Sequence, residues 1–322
     1  MIVESLNAEV LGKEVNGLRI APTLDSLASL PGTVTFDNVI CQIDKSGSSD
    51  GHLLLLTGLM PPEQVSYCFK FGSTNRFHSL QDAFPRHTKK TMLATTGTFW
   101  NEAKVLANFG TGPVSTIKDL DGDVEEIGRD GVLIQNAIEE MRNLPRPFFL
   151  TLMTISMHIP FEEEAWPLLP QLAESDSLNR FERNYYNVTH YFDRYLKQLV
   201  DNLPPNTVLF IASDHSQDIS RGTDESTRPA VFMAAGCGRS GRISRPVGQV
   251  NLYPATLELL GASFDGYGGV AMSALNPAVR GTLDTKGARR GFMTEAEIDT
   301  LKEAKRISDL IIRSNYFKDE QY

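Results

Sequence analysis

The chain has 322 residues, 41% of them hydrophobic and 22% charged, ordinary globular values that exclude a disordered, collagen-like or coiled-coil protein. Its 31 Lys and Arg against 40 Asp and Glu leave a net charge of −9, which argues against binding DNA or RNA through the phosphates. The length fits one large α/β domain with a small annex and needs no disulfide or metal staple, and runs such as Leu53–Leu56 fall far short of the ~20 apolar residues that span a bilayer.

Met1 stands directly before the strand-like stub Ile2-Val3, so the expectation is a chain cut just before or within its first strand, with no signal peptide in view. Continuous apolar runs follow at Thr33–Phe36, Thr91–Ala94, Phe148–Ser156, Val208–Ala212 and Ala230–Ala235. Runs without alternation suit strands buried on both faces. Between them lie helical patterns at His52–Leu59, Val132–Leu144, Tyr185–Leu203 and Tyr253–Leu260. The alternation predicts an α/β fold, with a mostly parallel central sheet and helices on both faces, whose sites gather at the carboxyl ends of strands. Thr294 and Glu297 form a capping-box pattern ahead of Ile298, Leu301, Ile307, Leu310 and Ile311. We therefore expect a main domain over 1–275 and a C-terminal extension over 276–322 whose helix packs on it. Cys41, Cys68 and Cys237 contain no CxxC pair and read as small buried hydrophobes, with a single disulfide left open.

Four segments carry chemistry. VLFIASDH (208–215) delivers Asp214 and His215 at the end of an apolar strand, a partial metal site or a hydrogen-bonded turn. FFLTLMTISMHIPF (148–161) ends a strand in His158, placed to pass a proton or simply satisfied in a loop. KSGSSDGHLLLLTGLMPP (45–62) sets Ser48 and Ser49 at a helix N-terminus, where the dipole favours negative charge and where a plain serine cap is equally at home. Glu4 ends the first strand. His52, one turn into the helix, could line the same cleft. His190, the Asp119-x-Asp-x-Asp123 run and the Asn187-Val-Thr189 sequon read as structural.

In combination, IVESLN, GSSDGHLLLLTGLMP, GTFWN, PFFLTLMTISMHIPF, the run from NYYNVTHYFDRY to VLFIASDH, and PVGQVNLYPATLELLG resemble, in that order, the sulfatase-like branch of the alkaline phosphatase superfamily. Within it they are most similar to the catalytic domains of the lipoteichoic acid synthase and phosphoglycerol transferase type. The resemblance implies that Glu4, Asp214 and His215, with Ser48, hold one divalent metal ion (Mn²⁺, Mg²⁺ or Zn²⁺). It makes Ser48 the nucleophile and His158 the residue that meets the substrate phosphate, with Trp100 and Asn101 beside them in the pocket. The implied activity is transfer or hydrolysis of phosphodiesters through a phosphoserine. The substrate would be a lipid or glycan, and the chain a monomer outside the cytoplasmic membrane, anchored by a segment it does not contain. Sulfate-ester hydrolysis, and a degenerate module that binds an anionic glycan or lipid headgroup, are the alternatives.

The pattern departs from the family at three places. Glu102 stands where the synthases have an Arg that helps bind glycerol phosphate, and Leu93 and Thr95 stand where they have His and Asp. No Cys-x-Pro-x-Arg motif, nor its Ser counterpart, surrounds Ser48. No second set of Asp and His ligands accompanies the first among His52, His78, His87, His158, His190 and His215, so one metal is expected rather than two.

Overall fold

The apolar runs become the strands of one sheet in the computed structural model, which describes residues 1–219, 228–262 and 267–319. The strands are β1 (Ile2–Val3), β2 (Val34–Ile40), β3 (Thr88–Leu93), β4 (Val114–Ser115), β5 (Phe148–Met153), β6 (Leu209–Ser213), β7 (Ala230–Ala235), β8 (Gly241–Ile243) and β9 (Val247–Gly248). Their order is β8-β2-β7-β6-β1-β5-β3-β4, with β9 also paired to β2. Only β7 runs against its neighbours β2 and β6; the other pairings are parallel. The short β1 is central, pairing Ile2 with both Met153 and Ala212.

Successive residues of each strand enter opposite cores, which explains why the runs do not alternate. Val3, Met92, Leu152, Ile211 and Met233 pack on one face with Leu24 of α1 (Pro22–Ser29), Ile134 of α2 (Arg129–Asn143) and Phe192 of α3 (Arg180–Asp201). Ile2, Leu93, Met153, Ala212 and Phe232 pack on the other, against Leu53, Val105 and Leu259. The last three belong to the helices Ser48–Thr57, Glu102–Asn108 and Leu252–Leu259. The Ser48–Thr57 helix is buried along its whole length and ends at Gly58, whose φ of 67° admits the left-handed cap.

The expected C-terminal helix spans Glu295–Ser314, and its capping box is formed, with the Glu297 amide donating to Thr294 Oγ1. Ile298 and Leu301 pack against Leu54, Met60 and Val250, and Ser308 Oγ accepts the Met60 amide at 3.0 Å. Ile307 and Leu310 were expected on the packed face and are exposed instead; Ser308 and Ile312 turn inward there. The three cysteines are free. Asn187 is buried, its amide donating to the Trp166 carbonyl, and His190 turns to the Arg19 and Ile20 carbonyls. Asp119 and Asp123 cap turns, while Asp130 is buried under the Ile155 and Ser156 amides. Among the described residues no helix is long and apolar enough to cross a membrane. At the amino ends of β1, β5 and β6 lies an apolar cavity of about 760 Å³, bordered by Met1, Met141, Phe148, Leu203 and Phe210.

Candidate active site

Three strand or helix ends meet at the carboxyl edge of the sheet. β1 brings Glu4, β6 brings Asp214 and His215, and the buried helix brings Ser48 as its first residue. The helix can approach because Gly51 has no side chain: a Cβ there would lie 2.1 Å from the Asp214 carbonyl oxygen. Asp50 fixes the loop ahead of Ser48 by accepting the Asp44 and Ser46 amides at 2.8 and 3.0 Å.

Ser48 Oγ donates to Glu4 Oε2 at 3.0 Å and lies 3.2 Å from His215 Nε2. Glu4 Oε1 is 3.3 Å, and Asp214 Oδ2 3.7 Å, from the same Nε2. One ligand atom from each of Glu4, Asp214 and His215 lies within 4.8 Å of the others. All four side chains are buried.

Their surroundings are as ordered as the group itself. Ser5, at a left-handed φ of 52°, donates its hydroxyl to Glu4 Oε1 and its amide to Asp214 Oδ1. Tyr185 holds that turn, accepting the Asn7 amide and donating to the Ser5 carbonyl. The Glu4 amide donates to Thr154 Oγ1 and Gln249 Nε2 to the Asp214 carbonyl. His215 Nδ1 faces the Ser216 carbonyl at 3.1 Å, so that nitrogen carries a proton and Nε2 is the atom turned to the cluster.

Burial alone would raise both carboxyls and lower the imidazole. In Glu4 the field and hydrogen bond of His215 win, and its carboxyl falls. His215, between two carboxylates, is drawn well up. Asp214 is pushed up by burial and by the neighbouring Glu4 charge. Two carboxylates crowd one imidazole, so that Asp214 is driven towards its protonated form, and the proton on Nε2 stands where a cation could sit instead. The donor set of two carboxylates, an imidazole and a hydroxyl fits one small divalent ion.

His158 is half-buried, with Nδ1 2.7 Å from the Ile159 carbonyl. Its ring meets Phe99 edge to face, and a positive charge on it would favour the Glu4 carboxylate. Trp100 packs on the serine loop, 3.4 Å from where a Cβ on Gly47 would lie. Asn101 turns its amide to the Cys68 carbonyl at 3.4 Å. His52, one turn after Ser48, lies 3.7 Å from Glu102 Oε1. The structure therefore gathers Glu4, Ser48, Asp214 and His215 at one point, with His158, Trp100 and His52 around it, and sets Asn101 to brace the loop. Sequence reasoning missed Ser5, Thr154, Tyr185 and Gln249: they lie inside the segments it singled out, but hydroxyls and an amide there have no signature of their own.

Comparison with known proteins gives a family model, Sulfatase, matching residues 1–262. Lipoteichoic acid synthase 2 of Bacillus subtilis is 24% identical over 294 residues, which is 82% of this chain and 45% of that protein. The chain spans less than half the length of the curated relatives it matches, 36% and 45% of two of them. Among solved structures, lipoteichoic acid synthase LtaP from Listeria monocytogenes superposes with a TM-score of 0.75 at 18% identity, covering 97% of this chain and 92% of that one. The Streptococcus pyogenes phosphoglycerol transferase GacH, in complex with sn-glycerol-1-phosphate, gives a TM-score of 0.64 at 14% identity over 100% and 89%.

Proposed function

We propose that this chain, which belongs to the sulfatase family, is a metal-dependent phosphotransferase or phosphodiesterase in which Ser48 attacks phosphorus. The observation that carries the reading is the contact of Ser48 Oγ with both Glu4 Oε2 and His215 Nε2, at 3.0 and 3.2 Å. Glu4, Asp214, His215 and Ser48 would hold one Mn²⁺, Mg²⁺ or Zn²⁺. When bound, such an ion supplies Lewis-acid stabilisation of the serine oxygen and of charge on the phosphoryl group.

The protein's own residues supply the rest. A serine hydroxyl is a weak nucleophile because it is almost always protonated. Here the hydroxyl already donates to a Glu4 carboxylate held in its charged form, so its proton has an acceptor as the P–O bond forms. His158, as imidazolium, gives its Nε2 proton to the leaving oxygen. The neutral ring then takes a proton from the incoming alcohol or water that releases the phosphoserine, and Glu4 returns its proton to the departing Ser48 oxygen, which restores the starting state. The N-terminus of the buried helix adds oriented amide dipoles.

The relatives named as lipoteichoic acid synthases support a phosphodiester-bearing lipid or glycan as substrate, and action on the outer side of a membrane, with the described chain as one part of an anchored protein. The test is to supply Mn²⁺, Mg²⁺ and Zn²⁺ in turn and assay aryl phosphodiester, phosphomonoester and sulfate ester, with Ser48→Ala in parallel. Diester turnover that disappears in the variant is expected. Turnover of the sulfate ester alone, or diester turnover that survives in Ser48→Ala, overturns the reading.

A further inference from the structure

Glu102 is more than nine-tenths buried. Its Oε2 accepts the Thr95 hydroxyl at 2.6 Å, and its Oε1 lies 3.7 Å from His52 Nδ1. His52 and Ser48 are four residues apart, on the same side of one helix. Among the described residues no Lys or Arg forms an ion pair with Glu102. The chain between Thr95 and Glu102 also carries Phe99 and Trp100, which belong to a run of rings: Phe69 against Trp100, Trp100 against Phe99, Phe99 against His158. Phe69 and Phe99 are exposed, and Trp100 rests on the serine loop.

A buried carboxylate is costly without a cationic partner. The Thr95 hydroxyl and an imidazole that burial keeps uncharged, with its pKa near 4, solvate this one without neutralising it. Aromatic faces attract cations as well. Carboxylate and rings ask for the same thing, a compact positive charge about one helical turn from the nucleophile. An anionic headgroup would meet repulsion there, and an uncharged one would leave the carboxylate uncompensated.

We propose that Glu102, held by Thr95 and His52, together with the rings of Trp100, Phe99 and Phe69, binds an ammonium group on the substrate, so that the Ser48 centre acts on phosphodiesters with an amine-bearing headgroup. The inference rests on the reaction proposed above and narrows its substrate. Burial raises the Glu102 carboxyl to about 7, in keeping with a site that lacks its cation.

The test compares p-nitrophenyl phosphocholine with its uncharged isostere, p-nitrophenyl 3,3-dimethylbutyl phosphate, in the metal-loaded protein. The wild type is expected to favour the choline ester in kcat/KM by about tenfold or more, a preference that falls to about threefold or less in Glu102→Gln. Trp100→Leu, which keeps the carboxylate, should lower the same ratio by several-fold, so a folding defect in one variant does not decide the matter. Turnover of both esters at equal efficiency by the wild type overturns the headgroup assignment and leaves the Ser48 reaction standing. If neither ester turns over, the reaction fails and calorimetry decides the subsite alone. Phosphocholine binding tighter than 3,3-dimethylbutyl phosphate, with the difference abolished in Glu102→Gln, supports it; equal or absent binding overturns it.

Discussion

At the carboxyl ends of β1 and β6, Glu4, Asp214 and His215 are buried and engaged, each held by amides, hydroxyls or one another. At the amino ends of the same two strands, Met1 and Phe210 border an apolar cavity of about 760 Å³. The contrast shows how unevenly a parallel sheet divides its demands. Buried charges must be met by aimed partners, which leaves little room for error. An apolar void needs no partner and forfeits only dispersion contacts. One end of the strands is therefore a fixed instrument, and the other a loosely filled support.

The sharpest way to break that contrast is at the serine. Ser48→Ala should lower diester turnover by about a thousandfold or more while leaving stability within about 1 kcal/mol, as read by steady-state kinetics beside urea unfolding. Asp214→Asn should in addition lower stoichiometric uptake of divalent metal, measured by elemental analysis after gel filtration; undiminished uptake would place the ion elsewhere. Gly51→Ala comes next, because its Cβ would meet the Asp214 carbonyl oxygen at 2.1 Å. Backbone has to move, and a loss of about 3 kcal/mol in urea unfolding is expected; a loss below about 1 kcal/mol would mean that the edge yields more easily than its bonding implies.

His52 and Glu102 refine the picture through pH. Burial lowers His52 from 6.5 to about 4 and raises Glu102 from 4.5 to about 7. As pH falls below His52's unfolded value of 6.5, the unfolded chain takes up a proton that the native imidazole refuses, so acid destabilises. Glu102 does the opposite, since the native carboxyl already holds a proton that the unfolded one has yet to gain. The two slopes oppose each other. Glu102→Gln should unmask the first and lose stability relative to wild type, by up to about 1.4 kcal/mol per pH unit between roughly pH 6.5 and 4.5. Thermal melts across that range check it; parallel curves would show that the pair does not compensate. The smallest effect belongs to the amino ends: Phe210→Leu should cost about 1 kcal/mol and leave turnover within about twofold. A large loss of activity would tie the cavity to the site.

Much of this architecture was legible because strands buried on both faces leave unbroken apolar runs; the Ala230–Ala235 strand matches the sequence reading residue for residue. Its direction was not legible, since reversing a strand leaves no mark on composition. The Pro22–Ser29 and Glu102–Asn108 helices also escaped notice, being eight and seven residues long with few large apolar residues to mark a buried face. Within the site, Ser48, Asp214 and His215 announced themselves by lying at the ends of buried segments. Tyr185 did not, because its task is a pair of bonds to a turn 178 and 180 residues away. Glu102 was visible as an acid directly after Trp-Asn, but its pairing with Thr95 and His52 needed coordinates.

The central position of β1 has a consequence for how the molecule is made. Two residues near the start of the chain must slot between strands that follow about 150 and 210 positions later, where Ile2 meets Met153 and Ala212. Closing such distant loops is slow. A ribosome would have to release more than two hundred residues before Glu4 could meet Asp214 and His215, so the protein would be born inert and become competent only in the last stages of its folding.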